Sequence, residues 1–176
     1  MTRIGSQLTF CSPQQILRRM LVERDEQDKI TGIKSLDEGL VETAQTLFFD
    51  GIISTEIVSL KQYKSTEEIQ VLCKQYNYYD LSAEFSDFSV GNSSKPLVCD
   101  FGTNSLDLIN LKLKQLARAN LAFSIFELIA SCVYYPVLLL GGEAELKLNR
   151  RSKLLLWENT DLVNKTLTIG TKVREV

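Results

Sequence analysis

Ile16-Leu17-Arg18-Arg19-Met20-Leu21-Val22 and Ile30-Thr31-Gly32-Ile33 flank the charged stretch Glu23-Arg24-Asp25-Glu26-Gln27-Asp28-Lys29, and this arrangement decides how the chain begins to fold. The flanks are apolar and β-branched, while the stretch between them mixes charges of both signs. That pattern reads as a β-hairpin with a solvated tip. Working outward, the chain from Arg3 to about Ile57 is mostly extended. Thr46-Leu47-Phe48-Phe49 reaches an Asp50-Gly51 turn, and Ile52-Ile53 runs on into Ile57-Val58.

The period then changes. Ile69, Leu72, Cys73 and Tyr76 recur at i, i+3, i+4, i+7, which predicts an amphipathic helix opened by Ser65-Thr66-Glu67-Glu68. An aromatic and acidic tract follows from Tyr76-Asn77-Tyr78-Tyr79 to Val90. Leu97-Val98-Cys99-Asp100-Phe101 reads as a short buried strand with Gly102-Thr103-Asn104-Ser105 as its exit. Ser105 caps a helix carrying Leu106, Ile109, Leu113 and Leu116, and Ser124 with Glu127 has capping-box spacing for another. After Gly141-Gly142 the chain returns to strands, at Ala144 to Leu148, Lys153 to Trp157 and within Thr166 to Val176. Strands, a helical middle and strands again predict a mixed α+β fold. Residues 1–57 and 143–176 read as two halves of one β-domain brought together around a helical insertion at 58–142.

The 176 residues suffice for one ordinary domain, and 44% apolar with 24% charged residues is the balance of a globular protein. Histidine is absent, which removes imidazole metal ligands, Ser-His-Asp and Cys-His nucleophiles, and the usual general base near neutral pH. A net charge of -2 and only isolated basic pairs, Arg18-Arg19 and Arg150-Arg151, argue against a nucleic-acid partner. The apolar run from Leu121 to Gly142 is interrupted by Glu127, and its uncharged part falls short of the roughly 20 residues of a membrane span. No leader is read in the first twenty residues. Cys11, Cys73, Cys99 and Cys132 form no CxxC pair, so buried thiols in a reducing cytoplasm are expected.

Several stretches, in their order, resemble the amidohydrolase superfamily, metal-dependent hydrolases of the chlorohydrolase and cytosine-deaminase type. The hairpin from Ile16 to Ile33 is similar to the family's opening hairpin, with its acidic-glycine turn before an RI-x-x-I strand. Leu47-Phe48-Phe49-Asp50-Gly51-Ile52-Ile53-Ser54 is similar to its LVLPGFINAH segment. Phe123 to Gly141 resembles its S-x-x-EAL-x-x-AT-x-NPARALG helix. Gly142 to Lys147, Leu154 to Glu158 and Thr171 to Val176 resemble its return strands. The resemblance implies a composite β-sandwich from both chain ends, with a (β/α)8 barrel between them. It also implies His-x-His metal ligands after the first barrel strand and a catalytic aspartate after the eighth, often in GTDS.

At the corresponding positions this chain carries Glu56, Val58 and, within Gly102-Thr103-Asn104-Ser105, Asn104. Valine ligates nothing, a lone Glu56 is a poor anchor, and neutral Asn104 cannot take a proton from a metal-bound water. A (β/α)8 barrel needs about 250 residues and rarely fewer than about 200. Only Lys61 to Pro96 lies between the suspected remnants of the first and eighth strands. The expectation is therefore that Ile53-Val58 and Leu97-Phe101 persist as a parallel pair after deletion of the rest. No catalytic residue, metal or cofactor is expected. The chain reads as a non-catalytic amidohydrolase-like protein acting by binding or assembly. The alternative is a hydrolase of carbon–nitrogen, non-peptide bonds with a rebuilt carboxylate or thiol site, drawn from Glu56, Cys99, Asp100 and Asp107. Tyr76, Tyr78, Tyr79, Phe85 and Phe88 are candidate interface residues for a homodimer or a partner protein, with neither nucleic acid nor membrane involved.

Overall fold

Alternation of apolar side chains over long extended runs builds the first three strands of the computed structural model, which describes residues 1–37, 46–72, 74–82, 94–119 and 124–176. β1 (Thr2–Ser12) pairs antiparallel with β2 (Gln15–Arg24), placing Ile4 beside Val22 and Phe10 beside Ile16. β2 pairs with β3 (Ile30–Ser35), Val22 beside Ile33, so the sequence-predicted hairpin is present. Its tip is tighter than the charge pattern suggests. Asp25 accepts the amides of Gln27 and Lys29 at 2.8 and 3.0 Å, and Asp28 adopts φ 59°. Glu23, expected in the solvated tip, is instead a buried residue of β2. Its carboxylate accepts Arg3 Nε at 3.0 Å and Lys34 Nζ at 2.7 Å. The cause lies across the strand pair: Gly32 sits opposite Glu23, and a Cβ there would collide with that carboxylate.

β4 (Thr46–Thr55) runs parallel to β1 on its other side, and β7 (Leu154–Glu158) and β8 (Lys172–Glu175) complete a six-stranded sheet in the order β3-β2-β1-β4-β7-β8. Asp50-Gly51 is not a turn. It lies inside β4, where pairing with β1 slips by one residue. Gly51 is required there because a Cβ would strike the Trp157 carbonyl oxygen on β7. Consecutive residues feed opposite faces of the sheet, as strand geometry dictates. Phe10, Ile52, Leu155, Trp157 and Val173 pack with the helices in one core, while Ile4, Cys11, Ile53, Leu154 and Leu156 join Val22 and Ile30 in a second. Ile30 exchanges backbone hydrogen bonds with Arg150 and Asn149. The segment leading into β7 thus reaches the far edge strand, which requires a strongly curled sheet. Ala144 to Leu148, expected as a strand, is irregular chain whose Ala144 and Leu146 are buried.

Between the sheet's two contributions lie α1 (Thr66–Leu72), β5 (Asn77–Asp80), β6 (Leu97–Asp100), α2 (Leu106–Arg118) and the helical run from Ser124. β5 and β6 form a separate parallel pair, Tyr79 beside Cys99. The expected pairing of Ile53-Val58 with Leu97-Phe101 is therefore wrong. β4 has no edge to offer, since β1 and β7 occupy both sides of it. Ser124 closes a capping box with Glu127 and starts α3 (Ile125–Ile129), which continues through a π-helical segment (Ala130–Tyr134) into α4 (Tyr135–Leu139). Pro136 has no N–H for the carbonyl one turn back, that of Cys132. That carbonyl accepts the amide of Val58 at 3.1 Å, tying the exit of β4 to this helix. No helix among the described residues is long and apolar enough to cross a membrane.

Candidate functional site at the strand exits

β5 and β6 run parallel and end on registered aspartates, Asp80 beside Asp100. Their carboxyl ends meet the chain leaving β4, which passes Glu56, Val58 and Ser59 into a 3₁₀ turn at Leu60–Gln62. Carboxyl ends of parallel strands are where open α/β sheets gather ligands, so this junction is the first place to look for chemistry.

Asp100 is completely buried. One carboxylate oxygen accepts Ser59 Oγ at 2.6 Å and the Gly102 amide at 2.8 Å. The other accepts the Lys61 amide at 2.9 Å and the Tyr78 hydroxyl at 3.0 Å. All four partners are donors, as an ionised carboxylate requires. The group thereby pins the β4 exit, β5 and its own turn together. Gly102 takes φ 69°, a left-handed conformation that glycine adopts without a Cβ penalty, and a Cβ there would stand 2.5 Å from Ser82 Cβ.

Asp80 serves a more exposed cluster. It pairs with Lys61 Nζ, which also donates to Ser82 Oγ at 2.7 Å. Asp80 accepts the Ser82 amide at 3.0 Å and its hydroxyl at 2.5 Å. Burial pushes the Asp80 pKa up, but Lys61 and both Ser82 donors outweigh it and hold the carboxyl below its ordinary value. An ionised Asp80 keeps its cation partner engaged, so this trio is an ion pair braced by a hydroxyl.

The residues singled out from sequence fall into separate environments. Glu56 is exposed, and Val58 is half-buried and held by its backbone amide. Asn104 is exposed and donates to Gln62 Oε1 at 2.7 Å. Cys99 is one residue from Asp100, so strand alternation sends it to the opposite face, into the helical core. Burial pushes its thiol up to about 12, and the neighbouring Asp100 adds to the rise against a Ser131 hydrogen bond. Such a thiol is inert as a nucleophile. Asp107 is exposed on α2. Tyr76 packs against Tyr135, centroids 6.4 Å apart, and Tyr134 meets Tyr135 edge-on at 5.5 Å. Tyr78 and Tyr79 are half-buried on β5. Phe85 and Phe88 lie outside the described residues.

Sequence reading missed Ser59, Lys61, Asp80 and Ser82. A signal for two of them existed: Asp80-Leu81-Ser82 and Asp100-Phe101-Gly102 both have the Asp-x-small spacing of a side chain that receives the amide two residues on.

Elsewhere an open groove of ≈ 710 Å³ lies beside the irregular stretch of the large sheet, lined by Gln7, Leu8, Arg18, Arg19, Asp37, Phe48, Leu162 and Val163. A smaller one of ≈ 350 Å³ adjoins it through Leu162 and is polar and acidic, with Asp50 and Glu158.

No protein-family model and no curated protein sequence matches this chain. Among solved structures it is similar to N-acetyl-D-glucosamine-6-phosphate deacetylase from Mycobacterium smegmatis, with TM-score 0.27 and 10% identity over 68% of this chain and 29% of that one. A mutant of that enzyme in complex with N-acetyl-D-glucosamine-6-phosphate matches with TM-score 0.26 and 12% identity, over 67% of this chain and 29% of that one. This chain thus spans well under two thirds of the length of either structure, and a likeness at these TM-scores carries no argument about the site.

Proposed function

We propose that the chain is a non-catalytic amidohydrolase-like protein that acts by binding or assembly, its metal site lost. The observation that supports this reading is the donor set at the strand exits. A divalent ion needs several oxygen, nitrogen or sulfur atoms converging on one point. Val58 offers only carbon from its side chain, while Glu56 and Asn104 face solvent. Both oxygens of Asp100 are occupied by protein donors. Among the described residues, no three Asp, Glu or Cys side chains gather in a way that could hold a metal. These residues do not fit a divalent ion.

A hydrolase of carbon–nitrogen bonds with a rebuilt site is the weaker reading, because its suggested members are apart. Cys99 faces the core, Glu56 faces solvent, and Asp100 is saturated. The free, buried thiols of Cys11, Cys99 and Cys132 suit a reducing compartment, and we place the protein in the cytoplasm. A second copy of the chain, meeting it through the half-buried Tyr76, Tyr78 and Tyr79, is the assembly we expect, and light scattering at micromolar concentration reads it directly.

Metal analysis of the purified chain, with amide hydrolysis assayed before and after incubation with zinc, manganese or iron, tests the central reading. Sub-stoichiometric metal and no turnover above background are expected. One tightly held ion per chain, or metal-dependent turnover, overturns it.

A further inference from the structure

We propose that the groove between Arg18 and Phe48 is a docking site for an extended segment of a partner protein that presents a carboxylate beside apolar side chains. This rests on the reading of the chain as a binding protein and names where and what it binds. The groove's ≈ 710 Å³ is of ligand-binding size, and its walls combine a cation with apolar surface.

The apolar platform is built in. Gly5 lies opposite Phe48 in register, and a Cβ at Gly5 would stand 2.8 Å from the ring. The missing Cβ lets the ring lie over β1, where Phe48 remains 54% exposed beside Val163, which is 89% exposed. Phe48 and Val163 thus offer an exposed apolar floor against which a partner's side chain can pack.

The charge at the groove is equally specific. Arg19, in a left-handed conformation with φ 48°, pairs with Asp37 at 3.2 Å. Adjacent Arg18 is exposed and has no acidic partner among the described residues. A guanidinium with no acidic partner among the described residues, over an aromatic and aliphatic floor, suits one carboxylate with apolar neighbours, and guanidinium matches carboxylate in bidentate geometry. Beyond Leu162 the adjoining groove presents Asp50, while Glu158 there is ion-paired with Arg174 Nε at 2.8 Å. With Asp50 at that end and Arg18 at this one, the acidic residue of the partner is favoured at the Arg18 end.

Fluorescence anisotropy with a labelled nonapeptide alternating glutamate with leucine and phenylalanine tests the site. Its counterpart with lysine for glutamate is the control, and both are titrated with the native chain at low salt. The glutamate peptide is expected to bind about tenfold or more tightly than the lysine peptide. Arg18→Glu is expected to abolish that preference and Arg18→Lys to keep part of it, with circular dichroism and melting temperature unchanged because Arg18 is exposed. Phe48→Ala weakens both peptides. Equal binding of the two peptides, no binding at all, or a preference unaltered by Arg18→Glu overturns the site. A native dimer that Arg18→Glu dissolves also overturns it, because a second copy then fills the groove. Metal content measured on the same preparation separates the two failures. Bound metal with normal peptide preference removes the functional reading alone, and metal-free protein without peptide preference removes the groove alone.

Discussion

Asp100 receives four hydrogen bonds in a fully buried position, from Ser59, Lys61, Tyr78 and Gly102. Asp100→Ala leaves all four donors facing a void, and a loss of about 3 kcal/mol or more is expected in urea unfolding. Tyr78→Phe removes one of the four and is expected to cost about 1–2 kcal/mol. A near-neutral Asp100→Ala would mean that water replaces the carboxylate and that the pin is dispensable. Glu23 makes a pH-dependent contribution of known sign. Its hydrogen bond to Lys34 leads the effects that hold its pKa below the ordinary 4.5, against burial and with Arg3 assisting. The unfolded chain then binds the proton more readily, so this stabilisation is complete above about pH 4.5 and is lost as pH falls through the lowered folded value. Glu23→Gln is expected to cost about 1 kcal/mol at neutral pH and to flatten the acid limb of the stability profile. An unchanged limb would show that Glu23 binds its proton equally well in the folded and the unfolded chain. Neither role was legible from residue type. The charge run around Glu23 looked uniformly solvated until Gly32 was placed across from it.

At the level of elements, both edges of the six-stranded sheet are managed, and by different means. β3 is met at Ile30 by Asn149 and Arg150. β8 is closed by a side chain of α2: Asn110 donates to the Val173 carbonyl at 2.9 Å and accepts the Val173 amide at 2.7 Å. The amide of Asn110 thus imitates one residue of a neighbouring strand. Asn110→Ala is expected to cost about 1–3 kcal/mol and to raise self-association, because an open edge templates pairing. Urea unfolding and light scattering read the two effects, and unchanged values in both would show the edge to be protected by packing alone. Most elements could be read from periodicity: the hairpin, α1, α2, the Ser124 capping box and the strand ending at Glu158. The mistaken turn at Asp50-Gly51 has a physical explanation. The same dipeptide serves a hairpin or a bulge inside a strand, and the Trp157 carbonyl pressing on Gly51 selects the bulge.

For the whole molecule, the large sheet separates two apolar cores that draw on the same strands. Trp157, the single tryptophan, is buried on the helical side with Nε1 donating to Ser54 Oγ at 2.9 Å, while its neighbours Leu156 and Glu158 continue the strand that feeds the other side. Helices and sheet should therefore unfold together: tryptophan fluorescence and far-ultraviolet circular dichroism are expected to give coincident transitions. An earlier fluorescence transition would show that the insertion detaches from the sheet before the sheet melts. The sequence by itself determined the mixed strand-helix-strand order, the absence of imidazole side chains, and the side chains that stand at Val58 and Asn104. These depend on local periodicity and residue identity alone. Only the tertiary structure decided that β4 lies between β1 and β7, that β6 pairs with β5, and that Asp100 is spent on four protein donors while Arg18 has no acidic partner among the described residues. Those outcomes depend on which strand edges and which distant side chains meet, and that is settled by long-range pairing and burial, which leave no period in the chain.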